Sequence, residues 1–142
     1  MKIGLALGSG SARGWAHIGV IKALKEKNIE PDVICGTSIG ALVGAAYCTE
    51  KLDDLETWVT SLTKYQLARF FEINTTFNGF VDVDKLFEFF HKHVATNDKS
   101  IEDLPKTFAC VATQLHTGRE VWFSKGNLHE AIQASMAMPG LF

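Results

Sequence analysis

Two short apolar segments, each followed by a glycine-containing turn and then by a helical pattern, dominate the first fifty residues. The run over 2–7 ends in the loop GSGSARG at 8–14, and apolar residues then recur at helical spacing. A second run over 33–35 is followed by GTSIG at 36–40 and by a helix rich in alanine and glycine. Two such units in succession predict an α/β fold with a mainly parallel sheet and right-handed crossovers.

The middle of the chain has the pattern of two amphipathic helices. Their apolar stripes cover Leu52–Leu62 and Val83–Val94, and Asp82 or Asp84 is predicted to cap the second helix. No internal repeat or low-complexity linker separates these helices from the first two units.

The last third predicts a hairpin and a helix. The segments Thr107–Thr113 and Glu120–Ser124 are strand-like on either side of a turn at Thr117-Gly118. Asn127 with Glu130 three residues later resembles a capping box, so a helix is expected from there to about Met138.

Composition excludes several classes of protein. The 142 residues, 46% hydrophobic and 21% charged, suit one globular domain. A net charge of −2 provides no basic field for a nucleic-acid partner. Cys35, Cys48 and Cys110 contain no C-x-x-C pair, which argues against a disulfide framework or thiolate zinc site and fits a reducing cytoplasm. His91 and His93 point to different helix faces, so no metal site is predicted.

The GTSIG segment has the G-x-S-x-G spacing of a nucleophile elbow. Such a turn holds a serine at its apex in a strained conformation, and side chains at positions 36 and 40 would collide with the turn. The alternative is that Ser38 is an ordinary N-cap of the following helix. The strand before it and the small-residue helix after it favour the nucleophile.

The glycine-rich loop has two interpretations. A dinucleotide site would need an acidic residue at the end of the second strand, but Glu30 and Asp32 precede that strand. The alternative is an oxyanion hole, in which amides near Gly10 and Ser11 face the oxyanion formed when Ser38 attacks an ester. Arg13 is interpreted as an anchor for the loop rather than a phosphate ligand, and His17 as a packed residue rather than a base.

Together, these motifs resemble the patatin-like phospholipases, in particular small bacterial members of the neuropathy-target-esterase branch (the RssA-like type). The similarity covers LALGSGSARGWAHIGV at 5–20, GTSIG at 36–40, VAT at 111–113 and ASMAMPG at 134–140. It implies a three-layer α/β/α fold with Ser38 as the nucleophile. The implied oxyanion-hole residues are Gly8, Ser9, Gly10, Ser11, Arg13 and Gly14, and the implied elbow residues are Gly36, Thr37, Ser38, Ile39 and Gly40.

The resemblance implies an aspartate base in an Asp-Gly-Gly or Asp-Gly-Ala motif. No aspartate of this sequence is followed by glycine, and the family's motif follows the segment that resembles 134–140. We therefore expect residues 1–142 to be the N-terminal part of one domain, inactive alone, with the base beyond residue 142.

The expected function is hydrolysis of lipid acyl esters through a Ser-Asp dyad and an acyl-enzyme, without a cofactor or metal. The expected partners are a lipid or acyl-ester substrate, a membrane surface contacted transiently, and further copies of the chain in a homo-oligomer. The expected location is the cytoplasm, peripheral to the inner membrane. The alternative is a non-catalytic lipid-binding or regulatory module.

Seven of the ten phenylalanines lie within 70–90. They predict either a helical cap that buries its own aromatic rings or an acyl-chain pocket. The pocket candidates are Phe87, Phe89 and Phe90, and Phe89 lies off the apolar stripe. The whole cluster is Phe70, Phe71, Phe77, Phe80, Phe87, Phe89 and Phe90.

Overall fold

The computed structural model describes residues 1–69, 80–94 and 98–137, with only the backbone described at 68, 69 and 80–84. It confirms the α/β class and both N-terminal strand–loop–helix units. In chain order the elements are β1 (Gly4–Leu7), α1 (Ala16–Glu26), β2 (Val33–Thr37), α2 (Ile39–Cys48), α3 (Leu52–Ser61), α4 (Lys64–Arg69), α5 (Phe80–His93), β3 (Thr107–Thr113), β4 (Glu120–Phe123) and α6 (Leu128–Met136). Short 3₁₀ turns cover Ser11–Trp15 and Ile101–Asp103.

The four described strands form one sheet in the order β1-β2-β3-β4. The first three strands are parallel, and β4 pairs antiparallel with β3, which confirms the mainly parallel sheet and the hairpin. In this register Leu7 lies opposite Gly36, and Thr37 lies opposite Val111. Because the carboxyl ends of the parallel strands share one edge of the sheet, the loops after β1 and β2 lie side by side.

One face of this sheet is covered by helices. Leu7, Ile34 and Phe108 are buried on it, and a Cβ added to Gly44 of α2 would lie 3.0 Å from Ile34 and 3.2 Å from Phe108. α6 covers the same face, where the Cys110 thiol donates a hydrogen bond to a main-chain carbonyl of α6 at 3.6 Å. The tight approach of α2 is possible because its facing residues are glycine and alanine.

The opposite face of the sheet is half-buried or exposed among the described residues. Val33 is 37% exposed and Trp122 is 55% exposed, whereas Cys35, Ala109 and Val111 are intermediate. The described residues therefore form the sheet and one helical layer of the expected three-layer arrangement.

Of the two predicted helix caps, the one at the start of α6 is present and the one at the start of α5 is not. Asn127 caps α6 as predicted, because its side-chain oxygen accepts the N–H of Glu130 at 2.9 Å. The N-cap prediction for Asp82 or Asp84 was wrong: α5 begins at Phe80, so both residues lie inside the helix. The predicted end of α6 at Met138 lies outside the described residues.

Helix α4 was not predicted, although its capping signal is present in the sequence. The N–H of Gln66 donates to the hydroxyl of Thr63 at 3.2 Å, and the N–H of Thr63 donates to the Gln66 side chain at 2.9 Å. This is a reciprocal capping box, which satisfies two of the amides that a helix start leaves open.

An aromatic cluster joins α5 to α6 around His129. The ring of His129 lies 6.1 Å from that of Phe87, 6.0 Å from that of Phe90 and 5.0 Å from that of His91. Among the described residues, the Nδ1 atoms of both histidines are buried without a hydrogen-bond partner. Burial, and secondarily the nearby His91, lowers the pKa of His129, while Glu130 opposes the shift.

Because of the buried His129, we expect the free energy of unfolding to fall in acid. Because the pKa of His129 is lower in the folded protein than in the unfolded chain, the unfolded chain binds more protons as the pH falls. The contribution of His129 to the free energy of unfolding is full above about pH 6.5 and is lost as the pH falls through its folded-state pKa. Urea denaturation at pH 7.5 and 5.5 should show a smaller difference in His129→Leu than in the parent. The control is His116→Leu in the exposed β3–β4 turn, and an equal change in both variants would contradict the prediction.

Candidate active site

Ser38 occupies the sharp turn between β2 and α2. Its backbone has φ 55° and ψ −123°, a region that L residues rarely occupy. The Ser38 side chain is half-buried and makes no capping hydrogen bond to α2. Ser38 thus occupies the N-cap position of α2, but its hydroxyl does not cap the helix, which favours the nucleophile over the ordinary N-cap.

The glycines on either side of Ser38 are required by close backbone contacts. A Cβ at Gly36 would lie 2.5 Å from both the nitrogen and the Cα of Ala41. A Cβ at Gly40 would overlap the carbonyl group of Leu7 and lie 2.7 Å from the carbonyl oxygen of Gly8. The turn can thus form only where both positions lack a side chain, as the sequence pattern predicted.

The glycine-rich loop packs directly against this turn. A Cβ at Gly14 would overlap the side chain of Ile39, the first residue of α2. The N–H of Arg13 donates to the carbonyl of Gly10 at 3.0 Å, which closes the loop. Gly8, Ser9, Gly10 and Ser11 are all exposed, and Ser11 adopts a φ of 49°. The exposed loop therefore lies beside the Ser38 turn, and the oxyanion hole stays a prediction.

His17, rather than Arg13, anchors the loop. The Nε2–H of His17 donates to the carbonyl oxygen of Gly8 at 2.8 Å. The Arg13 side chain is exposed and, within the described part of the chain, makes no hydrogen bond or ion pair. The anchoring role interpreted for Arg13 thus belongs to His17, a residue that sequence reasoning treated only as packing. Its bond to Gly8 also gives no support to His17 as a base for Ser38.

A second residue that sequence reasoning missed is Ser135 of α6. Its hydroxyl oxygen accepts the N–H of Ser38 at 2.9 Å, and its own O–H donates to the carbonyl of Val111 at 2.6 Å. The only signal in the sequence was its place in the ASMAMPG segment at 134–140 that carried the resemblance.

The three pocket candidates do not converge on one surface. Phe90 is fully buried in the core, and Phe87 packs edge-on against His129. Phe89 stacks between Trp58, at 4.5 Å between ring centres, and His93, at 4.7 Å.

Two cavities open on the described residues, of about 260 and 620 Å³. Phe89 lines the smaller one with Trp58 and Leu62, and neither cavity is lined by Ser38 or by the glycine-rich loop. The acyl pocket stays a prediction. Four of the seven phenylalanines within 70–90 are not described at the level of side chains: Phe70, Phe71 and Phe77 lie outside the described residues, as does the side chain of Phe80.

The cysteines are structural in character. Cys48 and Cys110 are buried, and burial raises the pKa of each thiol to about 12. Cys35 is half-buried, and burial also raises its pKa. All three are free thiols, which are poor nucleophiles and metal ligands when they stay protonated.

Within residues 1–69, 80–94 and 98–137, no group of three or more metal-ligating side chains occurs. None of the helices there has the length and apolar character needed to cross a bilayer.

The fold and this turn define an α/β protein with a strained serine between a parallel strand and a helix, beside a glycine-rich loop from the neighbouring strand. The family model of the patatin-like phospholipases matches residues 5–142. The chain belongs to the patatin-like phospholipase family.

Two groups of relatives illustrate this membership. An uncharacterized NTE family protein of Mycobacterium tuberculosis is 40% identical over 140 residues, which are 99% of this chain and 38% of the relative. An uncharacterized NTE family protein of Mycobacterium bovis has the same identity to this chain and the same coverage. The neuropathy target esterase sws of Drosophila melanogaster is 34% identical over 148 residues, covering 97% of this chain and 10% of the relative. The chain thus spans well under half the length of these relatives.

Proposed function

We propose that the protein to which this chain belongs is a serine hydrolase that cleaves acyl esters of lipids. The observation that carries the proposal is Ser38 itself, held at φ 55° with a hydroxyl that does not cap its helix. A strained backbone costs stability, and such residues cluster at active sites, where the geometry serves the chemistry. Membership in a phospholipase family and the neuropathy target esterase among the relatives support an ester of a lipid as the substrate.

In the proposed reaction the Ser38 oxygen attacks the ester carbonyl, the acyl C–O bond breaks, and the alcohol leaves with the proton that Ser38 gave to its base. Water then hydrolyses the acyl-enzyme, which releases the free acid and restores Ser38. Amides of the loop at 8–14 stabilise the oxyanion, and the N-terminal end of α2 adds a favourable dipole. Ser38 needs a base to accept its proton, because a free hydroxyl is a weak nucleophile at neutral pH. We assign that role to an aspartate of an Asp-Gly-Gly or Asp-Gly-Ala motif beyond residue 142.

The proposal extends to setting and partners. We propose a cytoplasmic enzyme that meets its lipid substrate at the inner membrane surface, that needs no metal or organic cofactor, and that can form homo-oligomers. We also propose that residues 1–142 are the N-terminal part of one patatin-like phospholipase domain.

A fluorophosphonate probe tests the proposed nucleophile. The probe phosphonylates only serines that are activated by a base and an oxyanion hole, so we expect a single adduct in the complete gene product. Digestion and mass spectrometry should locate it on the peptide containing Ser38. An adduct on another serine, or no adduct under conditions that label a control hydrolase, would contradict the proposal.

A second candidate is a non-catalytic lipid-binding or regulatory module. It is favoured by the Ser38 hydroxyl, which makes no hydrogen bond to a carboxylate or imidazole among the described residues. The candidates differ in one measurement: hydrolysis of a short-chain ester by the complete gene product that is lost in Ser38→Ala excludes the module.

A further inference from the structure

We infer that Ser135 is a positioning residue for the Ser38 nucleophile, an inference that rests on the proposed function. Ser135 lies near the end of α6, 97 residues from Ser38 in sequence, and is 9% exposed. It is one of the few buried polar side chains in the core, and the only polar atoms it contacts among the described residues are main-chain atoms at the edge of the site.

The two hydrogen bonds of Ser135 have fixed directions. Its proton is committed to the carbonyl of Val111 at 2.6 Å, so a lone pair of the oxygen faces the N–H of Ser38 at 2.9 Å. Val111 pairs in register with Thr37, the residue before Ser38. One hydroxyl group therefore ties α6, β3 and the start of the turn together at a single point.

The hydrogen bond from Ser38 to Ser135 opposes relaxation of the strained Ser38 backbone. Ser38 has a positive φ that an L residue leaves unless its surroundings hold it there. Gly36 and Gly40 permit the turn but supply no attractive contact to the amide of Ser38. The bond to Ser135 does supply one, and rotation of the Ser38 backbone would break it.

The same bond also removes one amide from the candidate oxyanion donors. Because the Ser38 N–H already donates to Ser135, it is not available to an oxyanion. The donors in this proposal are other amides, and the exposed loop at 8–14, which packs against Ile39 at the start of α2, supplies the candidates. Because both hydrogen bonds of the Ser135 hydroxyl go to main-chain groups, its loss should change the rate of attack on the ester and leave binding almost unchanged.

The experiment measures the rate of fluorophosphonate labelling and the kinetics of ester hydrolysis in the complete gene product. In Ser135→Ala, the amide of Ser38 and the carbonyl of Val111 lose their partner, and the nucleophile is free to shift. A misplacement of the order of 1 Å costs about 10²-fold in rate, so we expect kcat and the labelling rate to fall about 10- to 100-fold. KM should stay within about twofold of the parent value.

Two variants separate positioning from stability. Ser135→Thr keeps the hydroxyl and should recover a rate within about fivefold of the parent. Ile132→Val removes a methylene from the buried face of the same helix, about one turn before Ser135, and should lower the unfolding temperature without changing the labelling rate per folded molecule. If Ser135→Ala does not fold, Ser135→Cys, whose thiol is a weaker donor and acceptor, takes its place and should show the same loss to a smaller extent.

The outcomes are distinguishable. Labelling that depends on Ser38 but proceeds at the parental rate in Ser135→Ala overturns this inference and leaves the proposed function intact. An equal slowing in Ser135→Ala and Ile132→Val also overturns it, since that result is a general stability effect. Absence of Ser38-dependent labelling in the parent protein overturns the proposed function and this inference with it.

Discussion

Replacing Ser38 with alanine is expected to lower kcat/KM for ester hydrolysis by the complete gene product by about 10⁴-fold or more. The reason is that covalent catalysis ends when the attacking oxygen is removed, while binding and the oxyanion amides persist. The measurement is hydrolysis of a chromogenic acyl ester, with Ser124→Ala after β4 as an exposed serine control that should keep full activity. Activity of Ser38→Ala within tenfold of the parent would show that another group is the nucleophile.

A glycine at the same position separates catalysis from stability. Because Ser38 has a φ of 55°, glycine relieves backbone strain that both serine and alanine carry. We expect Ser38→Gly to be as inactive as Ser38→Ala but more stable than it by about 1 kcal/mol, measured by urea denaturation. A glycine variant less stable than the alanine variant would contradict the strained geometry of the turn.

The parts of the fold that local patterns determine were predictable. Both strand–loop–helix units, the β3–β4 hairpin and the Asn127 cap depend on residues within a few positions of one another, and all of them are present. The N-terminus of α5 was not, because acidic residues favour the first turn of a helix as well as its cap. The capping box of α4, Thr63 with Gln66 three residues later, is visible in the sequence, although no helix was predicted there.

The supporting residues of the site were not predictable from local patterns. The bond from Ser38 to Ser135 joins positions 97 residues apart, and no spacing rule connects them. His17 is only nine residues from Gly8, yet its contact depends on the helix turning back over the loop. A motif can therefore indicate the reacting group, whereas the groups that hold it depend on tertiary packing.

Replacing Gly40 with alanine should destabilise the protein by about 3 kcal/mol or more. Helix propensity alone predicts the opposite, since alanine in a helix is favoured over glycine by about 1 kcal/mol. Sterics decide the sign here: the new Cβ would overlap the carbonyl of Leu7 and lie 2.7 Å from the carbonyl of Gly8. These are main-chain atoms of β1 and the loop, so no side chain can rotate to make room.

Two other glycines provide a matched series for urea denaturation. Among the described residues, nothing outside α1 lies within 4 Å of a Cβ added to Gly19, so Gly19→Ala should raise the free energy of unfolding by up to about 1 kcal/mol. Gly44 faces side chains of Ile34 and Phe108 at 3.0 and 3.2 Å, which can shift slightly, so Gly44→Ala should fall between the two. If Gly40→Ala is as stable as Gly19→Ala, α2 does not approach the end of β1 as described. The loop at 8–14 would then not lie against the Ser38 turn, and the proposed oxyanion hole would lose its structural basis.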